Sequence, residues 1–153
     1  KMRGVIFLDK ANIPKTVQKE YLSGKFECKI NKDFAGVMSA CAEREETWIS
    51  EEIMEVYQGL YDMGYGYSFE VWENENLVGG LYGVALNKIF FGESMFHKVS
   101  NASKIALAHC IHILKENDFH LIDTQYSTEH LKQFNTEEIS QTDYLKELNY
   151  CLA

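Results

Sequence analysis

The run SFEVWENENLVGGLYGVALNKIFFGESMF, residues 68–96, decides the fold. Three β-rich segments, SFEVWE (68–73), LVGGLYGVAL (77–86) and IFFGESMF (89–96), are separated by short polar turns at Glu73 to Asn76 and at Asn87-Lys88. Turns this short join neighbouring antiparallel strands, so the middle of the chain reads as a β-meander. A long helix follows over NASKIALAHCIHILKEN (101–117), capped by Ser100 or Asn101, with Ala106, Leu107, Cys110, Ile113 and Leu114 turned inward. After it comes a short strand in HLIDTQ (120–125).

Working outward, Ile13 to Ser23 reads as a helix with Pro14 at its first position and Gly24 closing it, and Lys25 to Ile30 as a strand. Asp33 caps FAGVMSACA (34–42). Ser50 caps EEIMEVYQGLYDMG (51–64), where Ile53, Val56, Tyr57 and Leu60 have the spacing of a buried stripe. Beyond the LIDTQ strand a short helix begins at Ser127 or Thr128, and Ser140-Gln141-Thr142-Asp143 opens the last helix like a capping box.

Composition fits a single ordered domain over residues 1–153: hydrophobic residues make up 46%, and there is one proline. No apolar run is long enough for a membrane span and the N-terminus lacks the shape of a signal peptide, so the expected location is the cytoplasm, with no membrane partner. A net charge of −8 argues against tight non-specific nucleic-acid binding but leaves room for a local contact with one nucleic-acid end. Cys28, Cys41, Cys110 and Cys151 form no CxxC pair. His109 and His112 sit three apart on the long helix without the acidic third ligand of HExxH, and read as ordinary helix residues. No metal site is expected.

The order helices, three antiparallel strands, helix, strand makes this an α+β chain. It resembles the GNAT acyltransferase fold, whose central sheet splays and holds an acyl donor in the split. GNAT enzymes that use acetyl-CoA cradle its pyrophosphate with a glycine-rich loop. Here the corresponding segment is FHKVSNASK, and no glycine follows Gly92, so acetyl-CoA is not expected and no cofactor is called for.

Five ordered blocks carry a more specific likeness: Trp48-Ile49-Ser50, NLVGGLYGV (76–84), GESMF (92–96), SNASK (100–104) and LIDTQ (121–125). Together they resemble the leucyl/phenylalanyl-tRNA–protein transferases, in order from Arg3-Gly4-Val5 to Tyr144-Leu145. The resemblance implies a GNAT-like aminoacyltransferase domain that moves Leu or Phe from the 3′ end of its tRNA to proteins with N-terminal Arg or Lys, marking them for degradation. Members of the family carry a small further domain ahead of the segment matching MRGVIF.

That chemistry needs an acceptor for the amine proton and donors for the developing oxyanion. The resemblance assigns the catalytic pair to Asp123 and Gln125, which strand alternation would place on one face. Gln125 would position the amine or polarise the ester; Asp123 would orient Gln125 and stabilise the cationic amine. Glu93 would complete an acidic pocket, its alternative being a glutamate at a sheet-edge bulge. Phe90, Met95, Leu107, Cys110 and Ile122 are assigned to an apolar pocket for the donor side chain, their alternative being plain core. Trp48 and Tyr57 are assigned to the terminal adenosine. Lys88, Lys98 and Lys104 are candidates for acceptor-stem phosphates. The competing reading is a non-catalytic GNAT-like module that binds a peptide N-terminus or a nucleotide end.

Overall fold

The computed structural model describes residues 1–43 and 49–153. Its strands are β1 (Met2–Phe7), β2 (Glu27–Ile30), β3 (Gly66–Glu73), β4 (Asn76–Leu86), β5 (Ile89–His97), β6 (Leu121–Gln125) and β7 (Glu137–Ser140). Its helices are α1 (Lys15–Leu22), α2 (Phe34–Ala42), α3 (Glu51–Asp62), α4 (Ala102–Glu116), α5 (Glu129–Lys132) and α6 (Gln141–Leu152). The strands form one sheet in the order β2-β3-β4-β5-β6-β1-β7. Every neighbouring pair is antiparallel except β5 and β6, which run parallel.

That parallel pair is short: Ile89, Phe90 and Phe91 match Leu121, Ile122 and Asp123, and there the ladder stops. Beyond it β5 continues along β4 to His97, so the sheet opens between β5 and β6. On one face lies the largest core cluster, in which Ile105, Ala106, Cys110 and Ile111 of α4 meet Ile6, Phe69, Leu81, Phe90 and Ile122. A second cluster joins α2 to Tyr82 and Phe96, and a third joins Tyr144 and Cys151 of α6 to Val5, Ile89 and Leu121. Successive residues such as Leu81 and Tyr82 divide between the clusters, as strand alternation requires.

Local signals act as expected at several ends. Ser50 accepts from the Ile53 N–H, Thr128 from Leu131 and Ser140 from Asp143, each satisfying a donor that the first helical turn leaves open. Pro14 stands at the N-cap, one residue before α1. Asn101 occupies the N-cap of α4 but makes no capping bond: its amide donates to Glu20 Oε1 at 3.3 Å instead. The α3 stripe is only half-buried, and Val56 is exposed. LIDTQ is an interior strand, not an edge, because β1 covers its free side.

Glu70 and His109 are among the buried polar groups outside this apolar scheme. Glu70 is fully buried and accepts from the Asp33 N–H (2.8 Å), the Ser68 hydroxyl (2.7 Å) and the Trp72 indole (3.0 Å), fastening the start of α2 to β3. His109 of α4 faces the Tyr21 hydroxyl at 3.3 Å, while His112 meets Gln18 at 3.0 Å and stacks on Tyr21; neither histidine faces a metal-like ligand set among the described residues. Burial, and then the nearby His112, lowers the His109 pKa from 6.5 to about 4.

Glu70→Ala leaves three donors, the Ser68 hydroxyl among them buried, without their carboxylate and is expected to lower stability by roughly 3 kcal/mol, read as a shift in the urea midpoint. An unchanged midpoint would rule out the anchoring role. For His109 the folded pKa lies below the unfolded one, so its contribution to stability is complete above pH 6.5 and is lost as the pH falls toward 4. The melting temperature of the wild type should fall across that window, and His109→Gln should flatten part of the fall; identical slopes would exclude His109 as the cause.

Candidate active site

The site is built where the sheet splits, and two irregularities shape it. On β5, Ser94 pairs with Tyr82 and Gly92 with Gly83, so Glu93 is an extra residue without a partner. On β6, Asp123 pairs with Val5 and Gln125 with Gly4, so Thr124 is extra in the same way. Such bulges bend a strand and re-aim its side chains. Glu93 therefore does sit at a bulge, but on an interior strand beside the split and not at a sheet edge. Gly4 permits the second bulge: a Cβ there would stand 2.5 Å from the Tyr126 carbonyl carbon.

The bulge at Thr124 also interrupts the alternation that would set Asp123 and Gln125 on one face. Gln125 takes φ +69°, and its amide nitrogen reaches across the split to the Gly92 carbonyl at 3.2 Å. Asp123 points under α6 and is 1% exposed. Arg3 holds it through Nε (3.1 and 3.2 Å) and Nη2 (2.8 Å), the Tyr144 hydroxyl donates at 2.5 Å, and the Gln125 N–H donates at 2.8 Å. Asp123 thus touches Gln125 through the main chain, not through the side-chain amide. The bond to Asp123 raises the Arg3 pKa, and burial, reinforced by Asp123, holds the Tyr144 hydroxyl well above its ordinary value.

Glu93 lies within the electrostatic reach of Arg3, Asp123 and Tyr57 of α3. Burial raises its pKa and Asp123 adds to the rise, while Tyr57 and Arg3 oppose it. Tyr57 is correspondingly pushed far above the normal tyrosine range, first by burial and then by Glu93.

A cavity of about 710 Å³ occupies the split. Phe90, Met95, Leu107, Cys110 and Ile122 all line it, and so does Glu93. The apolar residues belong to the cluster on the α4 face, whereas Cys41, Ile49 and Tyr82, which also line the cavity, belong to the α2 side. Asp123, Gln125 and Tyr57 are not among its lining residues. Trp48 lies outside the described residues. Of the candidate phosphate contacts, Lys104 lines the cavity; Lys88 lies in the β4–β5 turn, over the Tyr150 ring. Burial keeps the Cys110 thiol protonated.

Arg3 and Tyr144 are the residues that sequence reasoning passed over, along with exposed Tyr126 at the cavity wall. An arginine opening an otherwise apolar strand was the available signal for the first, and a tyrosine on the buried side of α6 for the second.

A family model described as leucyl/phenylalanyl-tRNA protein transferase matches residues 5–149. The leucyl/phenylalanyl-tRNA–protein transferase of Paramagnetospirillum magneticum is 44% identical, over 99% of this chain and 74% of that protein. That of Gloeobacter violaceus is 46% identical, over 99% and 78%. Among solved structures, FemX superposes with a TM-score of 0.64 at 10% identity, over 96% of this chain and 63% of its own. A GCN5-related glucosamine N-acetyltransferase region of a fungal GH3 β-N-acetylglucosaminidase gives 0.62 at 10% identity, over 90% and 20%. These two share the fold alone, which is GNAT-like. Both of these relatives by sequence are named as tRNA–protein transferases, which favours an enzyme over a non-catalytic binding module. With its match running through both bulges of the split, the chain belongs to the leucyl/phenylalanyl-tRNA–protein transferase family.

Proposed function

We propose that this chain moves a leucyl or phenylalanyl group from its tRNA to the α-amine of an acceptor protein that begins with Arg or Lys. The observation that carries the reading is that an apolar slot and a half-buried carboxylate share one cavity at the sheet split. The donor side chain enters among Leu107, Cys110, Ile122, Phe90 and Met95, where Met95 adapts to either shape. The ester joining it to the terminal ribose then lies toward Glu93, and the acceptor amine approaches from the α2 side.

In the reaction the amine nitrogen attacks the ester carbon, a C–N bond forms, and the C–O bond to the ribose breaks. The amine gives up a proton and the ribose oxygen gains one. Glu93 is the group suited to take the amine proton: its raised pKa makes it a stronger base than an exposed carboxylate, and as an anion it also attracts a cationic N-terminus. Gln125, whose Nε2 is directed at Gly92, offers Oε1 to the incoming amine. Asp123 has its lone pairs engaged by Arg3, Tyr144 and the Gln125 N–H, so its part is to hold the turn that presents Gln125. Trp48 and Tyr57 are assigned to the terminal adenosine, where base stacking contributes about 1 to 3 kcal/mol. No helix among the described residues is long and apolar enough to cross a membrane, and the cytoplasm, where charged tRNA is found, is the proposed location.

The direct test is transfer of labelled Leu or Phe from its tRNA to peptides that differ only in the first residue. Arg and Lys should outcompete Ala, and the preference should shrink with salt, since exposed charges are screened beyond about 10 Å at 0.1 M. Equal rates for all three at low salt would remove the acidic acceptor site, and no transfer to any would remove the reading.

Glu93→Gln should lower transfer roughly 100-fold with little change in melting temperature. In the wild type the rate should climb as the pH rises through the raised Glu93 pKa, and this limb should disappear in the variant. A variant that keeps both rate and limb would exclude Glu93 as the base.

Asp123→Asn should fail in a different way. It leaves Arg3 and Tyr144 facing a neutral amide in a buried site, so a loss of stability on the order of 2 kcal/mol should accompany the loss of activity. Tyr144→Phe should show the same coupling at smaller size, with kcat reduced and KM little altered. Loss of activity in Asp123→Asn at unchanged stability would mean that Asp123 reacts directly.

A further inference from the structure

Behind the cavity at the split lies a second hollow of about 180 Å³, with Tyr67, Phe69, Ile113, Leu114 and Phe119 among its walls. Among the described residues, Phe90 alone lines both spaces. Its ring is 1% exposed and meets Phe69 edge-on, with centroids 5.6 Å apart and planes at 85°. The ring also lies against β4 where Gly83 has no side chain: a Cβ at Gly83 would stand 2.7 Å from the Phe90 ring carbon. Phe90 is therefore held between a bare stretch of backbone and a second aromatic ring, and has little freedom to yield toward either.

Rigidity at this one wall matters because apolar slots distinguish ligands asymmetrically. A side chain that is too small still binds, losing only part of its contact area, whereas one too large must displace close-packed atoms. The upper size limit of a slot is set by its least compliant wall. Met95, unbranched and with three rotatable bonds, is compliant; Phe90 is not. Behind Phe90 there is also open space in place of packed core.

We infer that Phe90 is the depth stop of the donor slot, and that the hollow behind it is an extension, separated from the slot by the Phe90 ring, able to take a bulkier aromatic side chain, an indole, once the ring is removed. This rests on the donor slot proposed above, and its test carries a readout that does not need transfer activity. In Phe90→Ala, transfer of Trp relative to Phe should rise at least tenfold over the wild-type ratio, while Leu transfer declines because its side chain loses the floor it rests on. In parallel, free indole titrated into the folded variant should shift the backbone NMR signals of Phe69, Leu114 and Phe119, and should leave them in place in the wild type. Apolar cavities opened in this way bind small aromatic molecules.

A folded variant with an unchanged Trp-to-Phe ratio, or one in which indole leaves the signals of Leu114 and Phe119 unmoved, overturns the inference. Should Phe90→Ala not fold, Phe90→Leu shortens the same wall while keeping an apolar side chain, and the same two measurements apply to it. If the wild type transfers neither Leu nor Phe, the functional reading fails, and indole binding alone then decides the depth stop.

Discussion

The Asp123 carboxylate is the point on which the site depends. Four donors from three separate parts of the chain converge on it: the guanidinium of Arg3 on β1, the hydroxyl of Tyr144 on α6 and the main-chain N–H of Gln125 at the end of its own strand. A carboxylate taken out of water is tolerable only when charge and hydrogen bonds replace what water gave. Here the replacement draws β1 into the sheet beside β6 and brings α6 down over them. It also holds Gln125 in a left-handed conformation that a residue with a Cβ adopts only when its surroundings hold it there.

From that anchor the rest of the split follows. With Gln125 turned, its amide crosses to the carbonyl of Gly92, at the residue before the bulge that aims Glu93. The two bulges thus face one another across the opening, each adding one residue just where the parallel ladder of β5 and β6 ends. A regular pairing carried further would close the sheet and remove the cavity. The extra residues keep it open, and the hydrogen bond from the Gln125 amide to the Gly92 carbonyl fixes how far it opens.

Much of this was legible beforehand. The meander, the long helix and the LIDTQ strand follow from alternation, turn length and caps, and the five cavity residues named for an apolar slot do share one cavity. Less legible were β1 and β7. MRGVIF is too short and mixed to signal an interior strand, and EEIS is too polar to signal a strand at all; both form because partners in the sheet supply what local propensity does not. The bulges were equally hidden, since a single inserted residue leaves no mark on a period of two, and so Asp123 and Gln125 could not be separated in advance. Yet the ordered likeness to the family ran from Arg3 to Tyr144, and its two end markers are the side chains that grip Asp123.

The two acidic side chains of the site differ because their surroundings do. Asp123 is saturated with donors and covered by α6, so its negative charge is spent on holding structure. Glu93 sits at the cavity near Tyr57, and burial together with the neighbouring Asp123 makes it more ready to hold a proton. Arg3 belongs to both: it pairs with Asp123 directly and, from further off, offsets part of the repulsion felt by Glu93. The arginine on β1 therefore does more than hold a strand in place. It tempers how strongly the buried Asp123 raises the pKa of Glu93, and so joins the packing of the sheet to the electrostatics of its split.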